Sequence, residues 1–96
     1  MKYNNTDSIT SLVNQYLRNE GLESPLNEYR LMAAWPSIVG EKMSRYTYGM
    51  RIKNQTLLVQ VHSPALRQEL MMRREELVKA LNQEIGAMVI TDIVIR

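Results

Sequence analysis

The sequence has 96 residues, 45% of them hydrophobic, and 12 Lys and Arg against 10 Asp and Glu give a formal net charge of +2. That length fits one domain, 1–96, with a modest core, and the mild charge permits anionic partners without requiring them. No cysteine is present, which excludes disulfides and thiolate metal sites.

Residues 1–5 are polar and read as loose. They carry no apolar stretch of the signal-peptide kind, and no apolar run in the chain reaches membrane-spanning length. A cytoplasmic protein without membrane contact is therefore expected. Ile9, Leu12, Val13, Tyr16 and Leu17 recur at helical spacing, with Thr6 or Asp7 as cap and Gly21 as terminator. Ser24-Pro25 opens a second helix, with Leu26, Tyr29 and Met32 or Ala33 facing inward. Pro36 disfavours helical geometry at Trp35, so a bend is predicted there, followed by a short helix from Pro36 to about Met43. Trp35, the single tryptophan, is the expected core anchor, with Ile38 and Val39 beside it.

The period then changes from helical to alternating. Tyr48, Met50 and Ile52 share one register, and Leu57, Val59 and Val61 share another. Separated by Asn54-Gln55, the two runs predict an antiparallel hairpin. Gln tolerates positive φ poorly, so a turn longer than two residues is expected. Ser63-Pro64 repeats the cap-then-proline start, and a helix is predicted to run to about Ile85, ended by Gly86. Val89 to Ile95 is rich in β-branched residues and reads as a third strand. The order predicts an α+β domain: a three-stranded sheet with a β-hairpin and a long crossover helix, preceded by N-terminal helices.

Positive charge gathers between Trp35 and Glu76, in Lys42, Arg45, Arg51, Lys53, Arg67, Arg73 and Arg74. On the long helix, Leu66, Leu70, Leu77 and Leu81 form the core stripe at 100° per residue. Arg73 falls inside that arc, and Arg67 and Arg74 fall beside it with Met71, Val78 and Ile85. Two readings are open. In one, the arginines snorkel around the core edge and Glu69 pairs with Arg73. In the other, Arg67, Met71, Arg74 and Val78 form a mixed apolar and basic face suited to a protein partner or a phosphate backbone.

The outward face of the hairpin carries Arg51, Lys53, Thr56, Leu58, Gln60 and His62, with Val94 and Arg96 as candidates to join from the last strand. It reads either as a solvated face with edge lysines or as a phosphate-binding surface. Tyr48 falls in the inward register, with Thr47 and Gly49 as its outward neighbours. The face therefore lacks stacking aromatics, and contacts to backbone phosphates are expected rather than to bases. Arg45, Arg51, Lys53, His62, Arg67, Arg73 and Arg74 are the candidate nucleic-acid contacts. His62 has no second histidine for a metal site, Ser63 caps a helix, and the acids are scattered. No cofactor, metal or catalytic residue is expected, and an enzyme is the least favoured class.

Three segments carry a resemblance. Trp35-Pro36-Ser37-Ile38-Val39-Gly40, then Asn54 to Val61 (Asn-Gln-Thr-Leu-Leu-Val-Gln-Val), then Ser63 to Leu70 (Ser-Pro-Ala-Leu-Arg-Gln-Glu-Leu) resemble the DciA-like family, a bacterial group formerly a domain of unknown function. The similarity continues through Leu81-Asn82 and the last strand, covering about residues 25 to 96. It implies a KH-like fold. It also implies a non-enzymatic adaptor for the replicative DNA helicase in DNA replication, binding the helicase and, weakly, DNA. The alternatives are a KH-like RNA-binding module and a protein-interaction domain without nucleic acid. Many relatives carry tryptophan near Leu66, and many carry a basic extension beyond the point where this sequence stops. The Gly-x-x-Gly loop of KH domains is absent, since the glycines stand singly at 21, 40, 49 and 86.

Overall fold

The computed structural model describes residues 9, 11–13, 15 and 23–96. Of the first predicted helix, residues 9, 11–13 and 15 are helical, and Ile9, Leu12 and Val13 are exposed. Its predicted caps, with Tyr16 and Leu17, lie outside the described residues.

The helix α1 spans Glu23–Val39 and continues through Pro36. The new helix predicted to start at Pro36 is therefore not there. A proline inside a helix removes one backbone hydrogen bond and crowds the carbonyl four residues back, at a cost of about 3 kcal/mol. Burial of Leu31 and Trp35 on one side of α1 offsets that cost. The break falls instead at Gly40, which has φ of +97° and no contact that would exclude a side chain. It ends α1 through its amide bond to the Pro36 carbonyl, 2.9 Å, and precedes the short helix α2, Glu41–Ser44. Seating Leu31 and Trp35 also sets the phase of α1. Tyr29, predicted inward, is 68% exposed, and Ala33 is exposed, while Met32 packs at the core margin.

Strands β1 (Thr47–Lys53) and β2 (Thr56–Val61) form the hairpin, and β3 (Asp92–Ile95) lies parallel to β2 on its other side. The order β1-β2-β3 requires a crossover between β2 and β3. The turn is the tight two-residue kind, not the longer one expected: Lys53 pairs with Thr56, and Asn54 and Gln55 have φ of +52° and +60°. Gln55 is held in this unfavourable conformation by its carbonyl, which accepts the Thr91 amide at 2.7 Å.

The crossover is helical, as predicted, but in two pieces, α3 (Pro64–Met72) and α4 (Arg74–Ile85). Ser63 caps α3, its hydroxyl accepting the Leu66 amide at 3.4 Å. Arg73 breaks the run with φ of −99° and ψ of 11°, and Gly86 ends α4 in the left-handed region. One face of the sheet is covered by these helices. Leu57, Val59 and Val61 of β2 and Ile93 and Ile95 of β3 bury against Leu70 of α3, Leu77 and Leu81 of α4, and Leu31 and Trp35 of α1. Each such side chain contributes about 1.5–3 kcal/mol by leaving water. The arrangement is an α+β, KH-like domain.

The loop from α4 to β3 is clamped by Asn82. Its Nδ2 donates to the Ile90 carbonyl at 2.8 Å, and its Oδ1 accepts the Val89 and Ile90 amides at 3.0 and 3.1 Å. This clamp shortens the predicted strand, because Val89 to Thr91 bond to Asn82 and Gln55 rather than to β2. Asn82→Ala leaves the Ile90 amide and carbonyl without these partners, the Val89 amide keeping its bond to the Ala87 carbonyl at 3.1 Å, and is expected to cost about 2 kcal/mol in urea unfolding. A loss below about 0.5 kcal/mol would mean the clamp is dispensable.

Candidate nucleic-acid and partner surfaces

The uncovered face of the sheet is organised by a β-bulge. Tyr48 pairs with Gln60 and Arg51 pairs with Leu58, so β1 advances three residues while β2 advances two. Gly49, with φ of +57°, sits within this step. A glycine takes that conformation without the penalty a Cβ brings, and the extra residue reverses the alternation beyond it. Tyr48 therefore stands on the open face beside Gln60, and Thr47 turns inward. This corrects the predicted register, in which Tyr48 faced the core and Thr47 faced out. A glycine inside a strand pattern is the one signal that marked the bulge.

The inward Thr47 completes a bridge between elements. Trp35 Nε1 donates to Thr47 Oγ1 at 3.1 Å, and that hydroxyl donates to the Ser44 carbonyl at 2.7 Å. Trp35 is 1% exposed, which makes it the core anchor expected.

On the open face, three cross-strand ranks follow from the pairing. Lys53, Thr56 and Asp92 form one, and Arg51, Leu58 and Val94 the next. Tyr48 and Gln60 begin the third, and Arg96 continues it: its amide bonds to the Val59 carbonyl, and its carbonyl accepts the Val61 amide. His62 closes the end of the face, its ring stacked on Tyr48 with centroids 4.2 Å apart and planes 17° from parallel. Among the described residues, Arg51, Lys53 and Arg96 form no ion pair. Among those residues the ion pairs are Arg45–Glu41 at 3.3 Å, Arg73–Glu76 at 3.9 Å and Arg74–Asp92 at 3.4 Å. All are solvent-accessible and contribute little stability.

The arginines of the crossover separate by position. Arg67 is half-buried, and its Nε is buried without a hydrogen-bond partner among the described residues. Arg73 lies at the helix break and turns to Glu76 rather than to Glu69. Met71 is 47% exposed. Arg74 and Val78 border one shallow depression with Asp92, Val78 also packing on the core. Arg45 lies apart from these, at the end of α2 and paired to Glu41. A further feature escaped the sequence reading: an apolar groove of about 570 Å³ lined by Val39, Met43, Tyr46 and Leu66, with Glu41, Lys42 and Glu69 around it. Its walls come from three separate elements, so no single periodicity announces it.

Among the described residues, no helix is long and apolar enough to cross a membrane, and no three His, Asp or Glu side chains are placed to hold a metal ion. The fold and surface define a small KH-like module whose open sheet face carries Arg51, Lys53 and Arg96 without ion pairs among the described residues. Residues 8–95 match the family described as "Dna[CI] antecedent, DciA", and the chain belongs to the DciA family. It is also similar to a "UPF0232 protein" of Streptomyces avermitilis, 30% identical over 81 residues. That alignment covers 82% of this chain and 45% of the relative, so the chain spans less than half of the relative's length.

Proposed function

We propose that this chain is a non-enzymatic adaptor that binds the replicative DNA helicase and, more weakly, DNA. Family membership supports the adaptor role. The observation that carries the DNA half is the open sheet face, where Arg51, Lys53 and Arg96 stand without carboxylate partners among the described residues. A polyanion supplies the missing counter-charge and releases its own counterions. Helicase contact is assigned to the surface of Arg67, Met71, Arg74 and Val78. There the Met71 thioether and the Arg74 guanidinium are both exposed, on either side of the helix break at Arg73, and both residue types are enriched at protein interfaces.

The helicase assignment is tested by binding of Met71→Glu and Arg74→Glu to the purified helicase of the same organism, without nucleic acid. Each substitution is expected to weaken the complex about tenfold, as at interface hot spots, with DNA affinity retained in Met71→Glu. Full helicase affinity in both folded variants would move the contact elsewhere, and the groove at Leu66 is the next surface to alter.

A further inference from the structure

We infer that the Tyr48–His62 ring pair is a base-stacking platform that makes the sheet face select single-stranded DNA over duplex. The inference rests on the DNA half of the proposed function and adds the form of the ligand. Its basis is the bulge at Gly49. Regular alternation would put Tyr48 in the core, and the inserted glycine places it outward, 45% exposed and stacked with His62.

The surroundings of the ring pair have the composition that single strands require. Arg51 lies on the same face of β1 as Tyr48, and Arg96 lies across β2 in the same rank. Neighbouring strands are about 4.8 Å apart, and same-face residues about 7 Å apart along a strand. Cationic side chains therefore surround the rings within the reach of a nucleotide. Aromatic stacking accepts any base, because every base offers a π-face, while the cations hold the phosphates. In a duplex the bases are already stacked inside and cannot reach an upright ring on a flat sheet. An acidic protein segment would satisfy Arg51, Lys53 and Arg96 but gives the rings nothing to stack with. The rings also make a cross-strand contact that stabilises the hairpin modestly. The test must therefore read more than stability.

The experiment is fluorescence anisotropy with a labelled thymidine oligonucleotide and a labelled mixed-sequence duplex of equal length, each titrated over a range of salt. Tyr48→Ala is expected to weaken single-strand binding about tenfold, since stacking on one base is lost. Its plot of log affinity against log salt should stay parallel to that of the unaltered chain, because no charge is removed. Duplex affinity should not change, and Tyr48→Phe should bind like the unaltered chain. Circular dichroism and Trp35 fluorescence report that the variants are folded. Unchanged single-strand affinity in Tyr48→Ala, with loss on reversing Arg51 and Lys53, would overturn the platform and keep the DNA reading. Binding of neither DNA by the unaltered chain would overturn both. Tighter binding of a uridine ribo-oligonucleotide than of the thymidine strand would overturn the choice of DNA, since the 2′-hydroxyl would then be read.

Discussion

Replacing Trp35 with alanine lowers the unfolding free energy by about 3–5 kcal/mol, the range for emptying a large aromatic from a packed core. Trp35 is 1% exposed, in contact with the cluster that unites α1, the crossover helices and the covered sheet face. The substitution also removes the indole donor from Thr47 Oγ1, breaking the bridge from α1 through Thr47 to the Ser44 carbonyl. It further weakens the offset that keeps α1 helical through Pro36. Domains of this size have a total stability of about 5–15 kcal/mol, so much of it is lost. Urea unfolding followed by circular dichroism measures the change. Trp35→Phe should fall well short of that loss, because it keeps most of the apolar volume and forfeits one hydrogen bond. A loss below about 1 kcal/mol in Trp35→Ala would contradict the central place given to this side chain.

Reversing two charges on the open face has the largest expected effect on binding. Arg51→Glu with Lys53→Glu changes the formal net charge from +2 to −2, two units for each substitution. Both side chains are exposed and form no ion pair among the described residues, so stability should shift by no more than about 0.5 kcal/mol. DNA affinity should fall at least about tenfold near 0.1 M salt. The salt slope for a single strand should fall by about 1.4, two contacts at about 0.7 each. Equal affinity and equal slope in the folded double variant would place the DNA contact on another surface.

The elements legible in the sequence are those governed by short-range pattern. The paired alternations around Asn54-Gln55 locate the hairpin, Ser63-Pro64 locates the crossover's start, and Gly86 its end. The outward rank of Arg51, Lys53, Thr56, Leu58 and Gln60 follows from the same alternation, and it holds on the hairpin side of the bulge. What pattern does not reach depends on distant partners. Pro36 stays helical because Leu31 and Trp35 are buried against other elements, and Gln55 accepts positive φ because Thr91 holds its carbonyl. Arg73 is indistinguishable by type from Arg74, yet one breaks the helix and the other continues it. The bulge matters most for function. One glycine moves Tyr48 from the expected core to the open sheet face and adds a stacked ring pair to the surface proposed to hold phosphates.

The adaptor reading is tested most directly by size-exclusion co-elution of this protein with the replicative helicase of its own organism, at moderate salt and after nuclease treatment. The reading predicts a complex that elutes ahead of either component and contains both. Separate elution of the two, with the small protein folded by circular dichroism and the helicase assembled, would contradict it.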